Sequence, residues 1–474
     1  MAQNAPSQGR KNVSTLIALG IFSFMSTLDG SIVNIAMPIM SKALNVSSSQ
    51  IEWVVSIYLI TISSLLMFFG RLGDVVGRSR VFKIGTAVFI LGSFLSGLNM
   101  GLAFLLFSRV IQATGAAMTM SNSFGITTST FPASQRGRAM GVIGTFVALG
   151  SVAGPAFGGL ILNYLPWNYI FWINVPIGLI AILIGLRSLP KQEPVQAAPI
   201  DWLGTGTFTL VIVSFFYGVL QAQVVGFTPI IWASFVVAIL SFIAFVYVEN
   251  HAKAPLLDLS IFKIADYSLG LIAALLVFIN GFFFNVLIPY YLVNARGFSS
   301  GFSGILLSII PLTMLVSGPV GGVLADRFGG PKIAALGLSI AVIAQFMTVL
   351  FGLDTSLWYF GGTAILIGIG LGLFQSPNNA TVMSAVPTDR LGIAGSVNAL
   401  ARNLGMILGV SFSTTSLFGI MSAQAGKRVT TYPLHQNDLF ISAMRLSFFI
   451  SAILLVIAAA IAFERLRQGK KSKA

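Results

Sequence analysis

The chain has 474 residues, 56% hydrophobic and only 8% charged, with a net charge of +14 and no cysteine. A water-soluble fold has too little interior to hide so large an apolar share, which excludes the ordinary soluble enzymes and binding modules. Without cysteine there is neither a disulfide framework nor a thiolate metal site.

Taken in chain order, the sequence breaks into fourteen long apolar runs, over about residues 14–40, 51–70, 81–99, 102–124, 138–163, 168–187, 203–223, 229–248, 267–295, 301–325, 331–351, 356–384, 391–420 and 441–463. At about 1.5 Å per residue, runs of about 20 residues cross a hydrocarbon core of about 30 Å. They are continuously apolar rather than alternating, so they predict helices and not a barrel. The first run is too long, and too rich in polar residues, for a cleaved signal peptide, and it is read as the first span. The expectation is an all-α polytopic membrane protein with 14 transmembrane helices.

Lys and Arg are biased toward cytoplasmic loops in inserted proteins. With the N-terminus inside, only Lys42, Arg296, Lys427 and Arg428 fall outside, and Arg109, Arg402 and Arg445 fall within spans, leaving 20 of 27 basic residues on the cytoplasmic face. Both termini are therefore expected in the cytoplasm of a cell (inner or plasma) membrane. The basic end ERLRQGKKSKA, 464–474, reads as an anchor at anionic headgroups, with no nucleic-acid partner.

A repeat shows in two loops. GRLGDVVGRSRV at 70–81 and GVLADRFGGPKI at 322–333 align Leu72 with Leu324, Asp74 with Asp326 and Gly77 with Gly329, at an offset of 252 residues or eight spans. Two six-helix halves give an offset of only six, so two helices are expected as an insert. The predicted organisation is an N-terminal six-helix bundle over 1–187, a linker with two inserted helices over 188–266, and a C-terminal six-helix bundle over 267–474. Duplicated halves enclosing a midplane site are a recurring plan for secondary carriers.

Inside the predicted membrane the charges are few. Of 13 acidic residues only Asp29 lies deep in a span; Glu52 sits at the outer start of span 2 and the rest at or beyond span ends. An intramembrane carboxylate is costly unless paired, hydrated or protonated, and usually marks a transport path. Asp29 is the candidate proton site. Arg109 lies at a comparable depth on span 4, about 11 Å from the outer end against about 16 Å for Asp29, and is a plausible partner. Arg402 on span 13 has no evident acidic partner, so backbone carbonyls or an inner water-filled vestibule are expected around it. The remaining polar residues that could line a cavity are Asn34, Tyr58, Gln112, Asn280, Asn285, Tyr290, Gln375, Asn378 and Asn379. With 39 Phe and 15 Met available, a roomy pocket with adaptable apolar walls is easily built.

Two further motifs have physical readings of their own. In the first Gly-rich loop Gly70, Gly73 and Gly77 allow a tight turn and close helix approach. Asp74 could accept bonds from a nearby helix start, with Arg78 and Arg80 anchoring the turn at the surface. On span 5, Gly150, Gly154 and Gly158 repeat at i, i+4 and i+8, with Gly159 and a kink-prone Pro155 beside them, which predicts a close-packing face. No GxxxxGK[ST] or HExxH occurs, and His251 and His435 both lie in loops. The chain is therefore not expected to be an enzyme or an ATP-driven pump, and neither a metal nor a cofactor is implied.

Four segments carry a specific resemblance. LDGSIVNIAMP (28–38), GRLGDVVGRSR (70–80), LLFSRVIQATGAA (105–117) and GSVAGPAFGGLI (150–161) resemble, in order and position, signatures of the major facilitator superfamily in its fourteen-helix drug:proton antiporter branch. The resemblance implies the major facilitator fold and alternating access driven by protons. It implies a role for Arg109 in proton coupling, and a charged latch centred on Asp74 and echoed at Asp326. It also implies a glycine face on span 5 that closes the halves against proton leak. One departure matters. Multidrug members that export dications carry further membrane-embedded acids, and none is evident in the C-terminal half here, so neutral or monocationic substrates are expected. The expected activity is proton-coupled export of small lipophilic or amphipathic compounds by a monomer in the bilayer. The alternative is a carrier for one metabolite, such as an amino acid, a lipid or a siderophore.

Overall fold

The structure, a computed structural model, describes residues 5–131, 133–189, 200–252, 255–257, 259–387, 391–433 and 436–471. The expected linker stretch 190–199 and His435 fall outside them. The described residues are helical, with no strand among them. In order they form α1 (Ala5–Ala43), a short α2 (Ser48–Ile51), α3 (Trp53–Val76), α4 (Arg78–Ser96), α5 (Leu102–Thr130), α6 (Ala133–Tyr164), a short α7 (Tyr169–Trp172), α8 (Asn174–Ser188), α9 (Trp202–Val225) and α10 (Pro229–His251). Then come α11 (Ala265–Pro289) with a π-helical continuation (Tyr290–Ala295), α12 (Ser300–Leu307), α13 (Ile309–Phe328), α14 (Gly330–Thr348), α15 (Leu357–Ser384), α16 (Leu391–Ala425) and α17 (Asn437–Lys471).

Among the described residues thirteen segments are long and apolar enough to cross a membrane, some made of two consecutive helices. The 32-residue α6 stands in the place of the fifth expected span, so the order of the fourteen sequence runs is kept. The chain is a multi-pass membrane protein.

Local sequence explains the helix ends. Ser47 caps α2 through a capping box with Gln50, Asp201 caps α9, and Ser299 and Ser356 cap α12 and α15, each accepting a backbone N–H that the first turn leaves unbonded. α10 opens on Pro229, whose missing N–H costs nothing at a helix start.

The chain divides into two compact units. One comprises residues 1–33, 53–154 and 165–258; the other comprises 34–52, 155–164 and 259–474, so the division falls inside α1 and α6. In the first unit α4 and α5 pack at backbone distance. A Cβ at Gly92 would collide with the backbone of Gln112, and one at Gly115 with the backbone of Phe89, so small residues set the approach, as is usual where lipid supplies no hydrophobic drive. α9 and α10, at the place where the sequence repeat predicts an insert, pack on one another and α9 also packs on α3. They turn Leu210, Val213, Ile239, Leu240 and Ile243 outward, a surface suited to acyl chains and not to water. In the second unit α11 packs on α16 and α17, and α15 on α13 and α14.

The sequence repeat has a conformational counterpart. Gly77, before α4, has φ 102 and ψ 120, and Gly329, before α14, has φ 95 and ψ 132. Both lie where an L side chain is strained, so glycine is required twice at equivalent turns. Gly77→Val is expected to cost about 1–3 kcal/mol from that strain, read as a lowered melting temperature of the purified protein.

Candidate functional site

Asp29, on α1, is fully buried, at 0% exposure, and Arg109, on α5, is 1% exposed. Depth along the two helices suggested a shared layer, and the side chains meet: Arg109 Nη1 donates to Asp29 Oδ2 at 2.6 Å. The other Asp29 oxygen, Oδ1, accepts from Gln112 Nε2 and from Asn174 Nδ2, both at 2.8 Å. Arg109 Nη1 also donates to Gln112 Oε1 at 2.5 Å and its Nε donates to the Val54 carbonyl at 3.0 Å. Gln112 Nε2 reaches Ser93 Oγ at 2.8 Å as well. The guanidinium lies 4.1 Å from the Tyr58 ring centre and 5.5 Å from that of Phe171, within the range of cation–π attraction.

Five membrane segments supply these groups: α1, α3, α4, α5 and the α7–α8 pair. The i, i+3 spacing puts Arg109 and Gln112 on one face of α5, and the Gly92 contact brings α4 close enough for Ser93 to meet Gln112. Three donors converge on the two Asp29 oxygens, one on Oδ2 and two on Oδ1. Such a buried, hydrogen-bonded pair resists loss of either partner far more than it adds stability over an apolar substitute.

Sequence reasoning missed Asn174, Ser93, Val54 and Phe171. It assigned Tyr58 and Gln112 to a substrate cavity, whereas both touch Arg109. Of the other polar candidates, Asn34, Asn280 and Tyr290 are buried in the second unit, where Asn280 Nδ2 donates to the Ser451 carbonyl at 3.2 Å. Asn378 is buried and occupied, donating to the Gly270 carbonyl at 3.1 Å and accepting from Arg465 Nη1 at 2.7 Å. Asn285 is exposed and bonded to its own helix at the Gly281 carbonyl. Asn379 is exposed and accepts from Asn398, and Gln375 is half-buried. The structure does not bring these into one cluster.

Two further acids are buried within the protein, though neither lies deep in a span. Glu52 is 1% exposed at the junction of α2 and α3, and its Oε2 accepts from Thr414 Oγ1 at 2.5 Å. Glu249, expected in a loop, is 5% exposed on the last turn of α10. The sequence misplaced Glu249 because the apolar run stops at Val248, whereas the helix continues through His251. Arg402, on α16, has an Nε without a hydrogen-bond partner.

In the Gly-rich loop Asp74 pairs within its own turn. Its Oδ1 accepts from Arg78 Nε at 2.8 Å, and Arg78 Nη1 donates to the Gly125 carbonyl at 3.2 Å. Arg78, part-exposed, thus also lies against glycine on α5, where Gly125 leaves room for it. Gly73 faces Asn122, whereas a Cβ added at Gly70 would meet Ser121 only at ordinary van der Waals distance. Asp326 is exposed, and the position matching Arg78 is Gly330. On α6, Gly150 and Gly154 press on α1 at Phe24 and Ser31. Gly158 is buried, a Cβ at Gly159 would collide with the Ser300 carbonyl, and the Pro155 carbonyl abuts Gly304.

The sequence profile of the Major Facilitator Superfamily matches residues 19–410. The chain is 33% identical over 405 residues to the riboflavin transporter RibZ of Clostridioides difficile, covering 84% of this chain and 86% of that one. It is 31% identical to the tetracenomycin C resistance and export protein of Streptomyces glaucescens, over 86% of this chain and 76% of that one. Among solved structures it resembles a bacterial homologue of the human lysosomal transporter Spinster, with a TM-score of 0.66 and 18% identity over 96% of this chain and 97% of that one; that likeness speaks to the fold. Helices, repeat and comparisons agree that the chain is a transporter belonging to the Major Facilitator Superfamily.

Proposed function

We propose that the protein exports small lipophilic or amphipathic compounds in exchange for protons, by alternating access in the plasma membrane, with both termini cytoplasmic. The observation that carries the reading is the sealed Asp29–Arg109 pair. In this conformation the pair is closed, and transport requires it to part. A proton taken up from outside neutralises Asp29 and frees Arg109; loss of that proton to the cytoplasm restores the pair. The energy of the gradient thereby biases the arrangement of five membrane segments at once. Asp74 with Arg78, and the glycines of α6, serve in the movement rather than in substrate choice.

The relatives support a transported small molecule of either of two kinds. Similarity to an antibiotic exporter favours a broad range of compounds, whereas similarity to a riboflavin transporter favours one metabolite. In proteoliposomes with an imposed pH gradient, a panel of unrelated neutral and monocationic lipophilic compounds, with riboflavin included, separates the two. Several unrelated compounds are expected to move. Movement of riboflavin alone would establish the metabolite carrier instead.

A further inference from the structure

The two inserted helices are joined at their ends by a pair of carboxyl groups that the transport reading does not use. Asp201 caps α9, its Oδ1 accepting from the Gly204 N–H at 2.7 Å, where an acid is favoured by the helix dipole. Glu249 sits in the last turn of α10, where the dipole disfavours it, yet it is 5% exposed. Its Oε2 accepts from the Leu257 N–H at 2.9 Å and so holds the segment that follows the helix. One oxygen of each group is left. Asp201 Oδ2 and Glu249 Oε1 are both buried and have no hydrogen-bond partner. Both face the same side of Gly204: a Cβ there would collide with each, with Glu249 Oε1 at 2.6 Å.

Two bare acceptors directed at one spot repel unless something positive lies between them, and buried carboxylates at such range do not both remain charged. We propose that Asp201 and Glu249 hold a single proton between them, forming a proton-dependent clasp that ties the start of α9 to the end of α10. A metal cation fits the place poorly, since hard cations take about six or more oxygen ligands; among the described residues no group of three His, Asp or Glu side chains occurs. Among the described residues neither acid forms an ion pair. His251 on α10 is turned onto Tyr247, with ring centres 4.4 Å apart and Nδ1 bonded to the Tyr247 carbonyl. α3, which packs on α9 through Phe68 against Trp202, carries Arg71 one turn further on, but Arg71 forms no ion pair with either acid among the described residues. The segment at Pro255, Leu256 and Leu257 carries no ionisable side chain. When the proton leaves, the two carboxylates repel, and both the α9 cap and the Leu257 anchor loosen. The clasp would work whatever compound the protein transports.

The test is infrared spectroscopy of the full-length protein with carbon-13-labelled glutamate, titrated from acid to alkaline pH, in wild type, Glu249→Gln and Asp201→Asn. The expected result is a labelled protonated-carboxyl band that persists above the ordinary carboxylate range of about 4, is absent in Glu249→Gln, and fades at lower pH in Asp201→Asn. Stability should follow. The folded chain keeps a proton that the unfolded chain has released, so the melting temperature falls as pH rises from about 4 to the point where the band is lost, and levels off beyond it. Glu249→Gln, whose amide can donate to Asp201, should flatten that fall. A wild-type spectrum without any pH-dependent glutamic acid band overturns the proposal. So does the same band in Glu249→Gln, or a melting temperature that depends on sodium or potassium against choline at fixed pH.

Discussion

Asp29→Asn is expected to abolish substrate accumulation driven by a pH gradient in proteoliposomes, to the level of empty vesicles, while exchange of labelled for unlabelled substrate at equal pH persists. The asparagine keeps an acceptor for Arg109 but cannot take up and release a proton, so only the coupled mode is lost. It also leaves the guanidinium buried without its counter-charge, which costs about 3–5 kcal/mol for a pair enclosed in the protein. The variant should therefore melt earlier as well as transport differently. Gradient-driven accumulation at the wild-type rate would remove Asp29 from the coupling mechanism, and a loss of both modes would mark it as structural.

The second large effect belongs to Arg109. Arg109→Met leaves Asp29, Gln112 and Asn174 directed at one another with no cation, and is expected to destabilise the protein by about 3–5 kcal/mol in chemical denaturation. Arg109→Lys keeps the charge but lacks the planar fork that bonds Asp29, Gln112 and the Val54 carbonyl together while stacking on Tyr58. It should fold and should not sustain gradient-driven transport. The double variant Asp29→Asn with Arg109→Met removes both charges, and its cost should fall short of the sum of the single costs by about 0.5–3 kcal/mol, the coupling expected of residues in direct contact. Strict additivity would mean that the two act independently, against the 2.6 Å bond between them.

Membrane insertion is legible in the sequence because hydrocarbon demands long apolar helices, and the runs fall where the helices do. The turn repeat was legible for a similar reason: Gly77 and Gly329 meet a backbone requirement that few residues can satisfy. Asp29 and Arg109 could be paired by counting residues from the membrane edge, since helical rise fixes depth. Counting gives no azimuth. Asn174 lies 145 residues from Asp29, at the start of α8 beside several aromatic residues, and nothing in its neighbourhood marks it as a ligand to a carboxylate. Gln112 was visible as a polar residue, but its assignment to the ion pair depends on the glycine contacts that set α4 against α5. Glu249 was hidden by the composition of the last helical turn, where polar residues look like loop and the hydrogen bonds of α10 continue regardless.

The turns at Gly77 and Gly329 show how the two copies have diverged. Their backbones keep the same left-handed bend, while the arginine that binds Asp74 in the first copy is a glycine, Gly330, in the second. Across the duplication, shape has outlasted charge. Added electrolyte, which screens a half-exposed ion pair but not a backbone torsion, therefore has a bond to weaken at the first bend and, among the described residues, none of that kind at the second, so ionic strength acts on the two turns unequally.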